Sequence, residues 1–459
     1  MFAKMIEEEV RMSKENHQLG NEAIYDAKVL GWPRMLILGL QHMFAMFGAT
    51  VLVPALTGLD VATTLLFAGL GTLLFHLITK RQVPAFLGSS FAFLAGYWAI
   101  APNGEANLLP YACFAVAVSG LMYVVLAAVI KSVGVNKVMR FFPPIVTGPI
   151  IIAIGLILSS SAINNCGANW LVAVVAIVVV VVCNMWGKGM IKIIPILIGV
   201  IASYLVSMIV DPASRANVVQ TVAAADWIGI PVHKDATVFG LFANGVDTGL
   251  LITACITIVP LAIATMMEHI GDICAISSTV NKNFLVEPGL HRTLMGDGLA
   301  TTLASLFGAP ANTTYGENTG VLALSKVYDP KVIRLAALFA IILSFCPKFA
   351  ALITAMPAAT IGGVSLVLYG MISAVGVRNV VENRVDFTNT RNVVIAALIL
   401  VLSLGIANSS AGAVQIGSVS LSGLAVASIV GIILNAVLPG KDYEFQQESE
   451  GSTSVNFKV

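Results

Sequence analysis

Asn312-Thr313-Thr314-Tyr315-Gly316-Glu317-Asn318-Thr319-Gly320 is a dense polar run set inside apolar sequence and preceded by Gly308-Ala309-Pro310-Ala311. Two assignments compete for it. It is either a loop between two membrane helices or a broken transmembrane segment whose polar groups turn inward. Non-helical backbone is tolerated at membrane depth only where it is buried in protein or lines a cavity. Under the second assignment this stretch lies at the centre of the molecule, and the charges on either side of it decide the matter.

The surrounding chain is built for lipid. Of its 459 residues, 58% are apolar and only 11% charged, with a mean hydropathy of +0.91. A soluble domain carries about 25% charged residues, so this chain has too few to cover a water-facing surface. The net charge of +1 offers no basic patch to a nucleic acid. A spanning helix takes roughly 20 apolar residues. Strong apolar stretches run at about 35–56, 62–79, 108–130, 142–162, 168–186, 190–210, 248–267, 332–354, 392–407 and 417–438. Weaker ones, interrupted by Gly, Pro or polar residues, run at about 84–100, 293–308, 311–325 and 358–377. Together they predict fourteen spans.

Lys and Arg concentrate on the cytoplasmic side of membrane proteins. With fourteen spans and both termini in the cytoplasm, that side carries 22 of the 25 Lys and Arg, and only Arg215, Lys234 and Lys348 face out. Removing the span at 311–325 would scramble the alternation beyond it, so the polar run is placed inside a span. Trp32, Trp98, Trp170 and Trp186 fall near predicted span ends, where amphipathic rings anchor. Residues 1–34 form a polar cytoplasmic segment without a signal-peptide pattern, residues 211–247 an external loop, and residues 439–459 a polar tail expected to be disordered. The six cysteines show no CxxC spacing. They predict small core residues, with neither a metal site nor a disulfide framework.

An internal echo points to a repeat. Pro143-Pro144-Ile145-Val146-Thr147-Gly148 and Pro357-Ala358-Ala359-Thr360-Ile361-Gly362 both place Gly five residues after Pro, and they open spans five and twelve. Seven spans apart, the second copy is inverted. The interrupted third span (Leu87-Gly88-Ser89-Ser90-Phe91) and tenth span occupy corresponding places. Paired broken segments of this kind point to a transporter's midplane site.

Ionisable residues inside a membrane are costly and mark function. Glu268 and Asp272, in Glu268-His269-Ile270-Gly271-Asp272 at the end of span eight, are four residues apart and share a helix face. Burial and mutual repulsion disfavour two negative charges there, so at least one is expected to hold a proton part of the time; the structural alternative is a solvated Asp272 at a wet helix end. Glu317 offers acceptor oxygens when ionised and a donor when protonated, while Gly316 lets a ligand approach the backbone. Ser89, Ser90 and Phe91 put exposed N–H groups and a stacking ring beside Gly88, or are helix-packing residues. Gln41 and His42 form another buried polar pair. Asp297 is expected as a helix N-terminal group, and Tyr369 as a packing residue with a satisfied hydroxyl.

The segments Gln41-His42-Met43-Phe44-Ala45-Met46-Phe47-Gly48-Ala49-Thr50, Gly88-Ser89-Ser90-Phe91-Ala92-Phe93, Glu268-His269-Ile270-Gly271 and Asn312 through Gly320 resemble the bacterial uracil permeases. Gly289-Leu290-His291-Arg292 and Gly362-Gly363-Val364-Ser365-Leu366 fit as well. These permeases form part of the nucleobase–cation symporter family, also called nucleobase–ascorbate transporters, and the likeness runs from about residue 30 to 438. It implies an all-α polytopic membrane protein of fourteen segments in two inverted repeats of seven, with short antiparallel strands in segments 3 and 10. A core domain (35–131 and 248–354) would move against a gate domain (132–210 and 355–438). By the same resemblance Glu268 and Glu317 hold the base, and backbone at Phe91 and Gly316 completes the site. The candidate substrate contacts are therefore Glu268, Glu317, Phe91, Gly316, Ser90 and Tyr315, and the candidate proton-coupling residues are Glu268, Asp272 and His42.

Some uracil permeases carry His at the place of Asp272, where purine carriers commonly have Asp, whereas purine carriers usually have Gln at the place of Glu317. Weighting Glu317 more, the expected substrate is uracil, ahead of xanthine or uric acid. The expected activity is uracil import with a proton across the cell membrane, with no cofactor and no enzymatic chemistry. Expected partners are uracil, the proton and the lipid bilayer, with homodimerisation left open. An anion exchanger or channel is the rival class, but no Lys or Arg lies inside segments 3, 8 or 10. An intramembrane enzyme lacks support, since neither a His-Glu-x-x-His metal motif nor a complete phosphate loop is present.

Overall fold

The computed structural model describes residues 22–416 and 419–440. Most of the tail at 439–459, and its expected disorder, lies outside the described residues. Helices dominate because lipid offers backbone groups no other partner. The first half comprises α1 (Gly31–Thr57), α2 (Val61–Ile78), β1 (Leu87–Ser89), α3 (Leu94–Ile100), α4 (Leu109–Val133), α5 (Pro144–Cys166), α6 (Trp170–Trp186), α7 (Pro195–Val210) and α8 (Pro212–Ala224). The second comprises α9 (Thr248–Ile258), α10 (Leu261–Val280), α11 (Leu290–Leu306), β2 (Asn312–Thr314), α12 (Gly316–Ser325), α13 (Pro330–Ser344), α14 (Pro347–Thr354), α15 (Ala358–Glu382) and α16 (Thr390–Ala407). A hairpin of β3 (Ala413–Ile416) and β4 (Val419–Ser422) leads into α17 (Gly423–Val437).

Among the described residues, seven helices are long and apolar enough to cross a bilayer, or nine when each of two sharply bent pairs counts as one span. The bends are 114° between α7 and α8 and 88° between α13 and α14. In both pairs a proline opens the second helix, where its missing N–H costs nothing. α6 and α17 are shorter apolar helices.

Three boundaries differ from the sequence expectation. Residues 27–34, assigned to the polar N-terminal segment, are already helical, with a short turn at Ala27–Leu30 running into α1. The external loop at 211–247 contains α8 and further helical turns, formed around Asp211 and Thr237, which accept backbone N–H groups at the helix starts. The apolar stretch at 248–267 does not end near Asp272. The helical path runs on through Val259-Pro260 and α10 continues to Val280, which moves Asp272 from a presumed helix end to mid-helix.

Small residues set the closest helix crossings, as packing within lipid favours. Gly120 of α4 and Gly298 of α11 meet back to back, and a Cβ added to either would lie 2.5 Å from the other's carbonyl oxygen. α5 and α15 form a similar antiparallel pair. Gly148 seats Val380 and Gly376 near the end of α15, while a Cβ at Gly362 would sit 2.8 Å from Ala162 O and 2.5 Å from Cys166 N at the end of α5. Each Pro-x₄-Gly opening thus packs on the far end of the other helix.

At the cytoplasmic end predicted from the charges, the segment before α1 crosses two other elements. Ile24 pairs with Val327, through Ile24 N to Lys326 O at 2.8 Å and Tyr328 N to Ile24 O at 2.7 Å. Tyr25 Oη donates to Val280 O at 2.8 Å, and Lys331 Nζ lies 2.9 Å from Asp26 Oδ1. The ends of α10 and α12 are thereby tied to the start of α1.

Candidate functional site

β1 and β2 pair antiparallel, with Leu87 opposite Thr314, Gly88 opposite Thr313 and Ser89 opposite Asn312. A two-stranded ribbon this short is not stable alone; here the neighbouring helices satisfy its edges. Leu87 N donates to Thr72 Oγ1 at 2.9 Å, Ser89 Oγ to Thr50 O at 3.0 Å, and Thr301 Oγ1 to Asn312 O at 2.8 Å. Asn312 Nδ2 reaches Phe67 O at 3.0 Å, and Tyr315 Oη donates to Ser89 O at 2.8 Å. Gly88 is needed because a Cβ there would lie 2.5 Å from Thr50 Oγ1 and 2.6 Å from the Tyr315 ring. α3 and α12 then start where the strands end, so both broken segments present helix N-terminal ends beside the ribbon. Such ends carry unpaired N–H groups.

α10 passes the ribbon and contributes Glu268 and Asp272 to a cavity of about 210 Å³. Glu317, Gly316, Tyr315 and Phe91 line the same cavity. The carboxylates thus converge from α10 and from the start of α12. All three are half-buried, and one oxygen, Glu268 Oε2, is buried without a hydrogen-bond partner. Thr314 Oγ1 donates to Asp272 Oδ2 at 2.9 Å, fixing that side chain against the ribbon. A Cβ added to Gly316 would meet no protein atom within 4 Å, so the space over this residue is open. No Lys, Arg or His lines the cavity among the described residues. Its other wall is apolar and comes from Ile151 on α5 and from Met371, Ile372 and Val375 on α15.

Two expected site residues lie elsewhere. Ser90, just past the end of β1, is fully buried and does not line the cavity, and the neighbouring Ser89 takes the lining position. His42 is buried too, behind α12, where its Nδ1 lies 3.2 Å from Asn318 Nδ2 and its carbonyl accepts from the same amide at 3.0 Å. It touches the residue next to Glu317 and not the cavity.

Asp297 also differs from its expectation. α11 begins at Leu290, so Asp297 is interior to the helix and fully buried, with Oδ2 2.8 Å from His269 Nδ1. This pair braces the Glu268 helix against α11. The two residues are far apart in sequence, and only the crossing of α10 and α11 joins them. Tyr369 is buried as expected, with Ser365 one helical turn back beside its hydroxyl. Thr313, Thr314 and the α15 wall were missed, because neither ordinary apolar residues nor threonines in a polar run signal a site by type.

Comparison with known proteins places this arrangement. Residues 33–412 match the permease family. The uracil permease of Bacillus caldolyticus is 41% identical over 431 residues, covering 91% of this chain and 94% of the relative. The uracil permease of Bacillus subtilis (strain 168) is 39% identical over 424 residues, covering 90% and 94%. Among solved structures, the transmembrane domain of a cyanobacterium bicarbonate transporter, BicA, shares the fold with a TM-score of 0.59 at 14% identity, over 90% of this chain and 99% of that one. The match to the family covers the ribbon, the carboxylate helix and the close-packed α5 and α15, so this multi-pass membrane chain belongs to the permease family, in the nucleobase–cation symporter group of the bacterial uracil permeases.

Proposed function

We propose that this chain imports uracil together with a proton. The observation that carries this reading is the convergence of Glu268, Asp272 and Glu317 on one small cavity without a lining cation. Uracil presents a flat edge of alternating carbonyl acceptors and N–H donors. An ionised carboxylate accepts from N–H, and a protonated one also donates to a carbonyl. Burying an ion costs several kcal/mol, so three negative charges crowded on one half-buried site are disfavoured and a proton relieves them. A protonated Glu268 completes the donor set while Glu317 accepts. Base and proton then raise each other's affinity, as linkage requires. The open space over Gly316 admits the ring against backbone.

The movement we infer is alternating access. In this reading the fourteen segments form two inverted repeats, with a core (segments 1–4 and 8–11) carrying the ribbon and carboxylates and a gate (5–7 and 12–14) carrying the apolar wall. The reciprocal glycine seats of α5 and α15 support it, since a two-fold relation produces such paired contacts. The charge asymmetry supports both termini in the cytoplasm. Phe91, Tyr315 and Gly316 are proposed ligand neighbours, with Ser90 and His42 acting from behind the site. Xanthine or uric acid is the second substrate reading, favoured by Asp272. An anion carrier, as the bicarbonate transporter of similar fold is described, fits poorly with a carboxylate-lined cavity.

Thermal stabilisation of the purified chain in detergent tests the substrate class. A ligand that binds only the folded state stabilises it by about 2.7 kcal/mol at a hundred times its Kd. Uracil is expected to raise the melting temperature most, xanthine less and sulfate not at all. A preference for sulfate would overturn the reading, and a preference for xanthine would move it to the purine carriers.

A further inference from the structure

A second cavity of about 380 Å³ lies on the far side of Phe91 from the carboxylates. Its walls include Trp98, the end of α5 at Ser161, Asn164 and Asn165, and Asn408 at the end of α16. Both of these helices start beside arginine, at Arg140 and Arg391, so the second cavity sits at their Lys/Arg-poor ends. The two cavities stack along α5. Ile151 lines the carboxylate cavity and Ile154, about one helical turn on, lines the second. Phe91 is the one residue common to both walls.

The Phe91 ring is met by Tyr369 of α15, with centroids 5.7 Å apart and planes at 78°. This is the edge-to-face geometry aromatic rings prefer. The partners belong to differently anchored elements. Phe91 follows the ribbon, and Ser90 N, one residue before it, donates to Ala311 O at 2.8 Å. Tyr369 is fixed to α5: its carbonyl leaves no room for a side chain at Gly155, and one turn on, Ser373 Oγ donates to Ile152 O at 3.0 Å. A shift of the ribbon against α5 and α15 therefore separates the rings.

We propose that the Phe91–Tyr369 contact is a gate between the carboxylate cavity and the second cavity, and that the second cavity is the outer access chamber for a neutral heteroaromatic base. This rests on the transport reading above. The closure rests on ring bulk, since the polar neighbour of the Tyr369 hydroxyl, Ser365, lies on the same helix and not on the ribbon.

Cysteine accessibility tests it without requiring transport. Ser161→Cys places a thiol in the second cavity and Met371→Cys one in the carboxylate cavity. Each is made in the full chain reconstituted in vesicles, and a charged, membrane-impermeant thiol reagent is applied to the face from which Ser161→Cys reacts. Labelling of the parent chain is subtracted. With Tyr369 present, Met371→Cys should react more slowly than Ser161→Cys. Adding Tyr369→Ala should speed Met371→Cys roughly tenfold, the population shift that losing one aromatic pair supports, and leave Ser161→Cys unchanged. Tyr369→Phe, which keeps the ring and is the milder change, should preserve protection. Equal rates at both thiols with Tyr369 present, or no acceleration by Tyr369→Ala in protein that still labels at Ser161→Cys, would overturn the gate. If the gate behaves as expected while uracil gives no thermal stabilisation, the substrate reading fails and the gate stands.

Discussion

Thr314 Oγ1 holds Asp272 Oδ2 at 2.9 Å, while Glu268 leaves one buried oxygen unpartnered. Neighbouring carboxylates on one helix face thus meet different surroundings. That difference ties Asp272 to the ribbon and, under the proposed function, leaves Glu268 free for the ligand. Hydrogen bonds to charged groups contribute about 1.5–3 kcal/mol and ordinary ones about 1 kcal/mol. Glu317→Gln should therefore weaken uracil competition by roughly ten- to a hundredfold, and Thr314→Val by about fivefold. A competition series of nucleobases in uptake assays measures both, and the order of the two effects is the check. Equal, small losses would mean that Glu317 does not touch the base. At this scale the sequence exposed the carboxylates plainly, because a charged side chain within apolar residues stands out. It could not show that His269 meets Asp297 or that Ser89 replaces Ser90 on the cavity wall. Those facts depend on helix rotation and strand position, which residue type does not encode.

The α5–α15 pair is where a sequence echo acquires physical content. Both Pro-x₄-Gly openings put a glycine where the opposite helix approaches too closely for a side chain. Overpacking a close contact costs about 1–3 kcal/mol. Gly362→Val, with a Cβ 2.5 Å from Cys166 N, should lower the melting temperature in detergent by several degrees. The same substitution at Gly405, where a Cβ would meet nothing within 4 Å, should not. Equal effects at both positions would remove the packing account. Long apolar helices were legible from hydropathy. The ribbon was legible only as interruptions, since a three-residue strand has no periodicity of its own, and the 88° bend between α13 and α14 falls inside the stretch 332–354 that hydropathy reads as continuous. α8, lying within a stretch assigned to loop, has too little apolar character to register as a span, and Asp211 forms it by capping rather than by burial.

Across the whole molecule, the placement of Lys and Arg conveys most about topology and the placement of Asp and Glu most about chemistry. By the predicted topology nearly all cations fall on one side of the membrane, while two carboxylates from mid-α10 meet a third from the broken segment that holds β2 and α12. A carboxylate-lined cavity with no Lys, Arg or His on its described walls disfavours an anion, and under the proposed function it takes a neutral ligand accompanied by a proton. A nucleobase, a neutral ring edged with donors and acceptors, suits such a cavity and is what the related uracil permeases are named for. Proton coupling is the claim on which the transport cycle depends. It is tested most directly by uracil uptake into proteoliposomes of defined orientation, with and without an inward proton gradient at constant membrane potential. The gradient should drive uracil above its external concentration, and Glu268→Gln should abolish that accumulation. Uptake that equilibrates identically with and without the gradient would contradict the coupled mechanism.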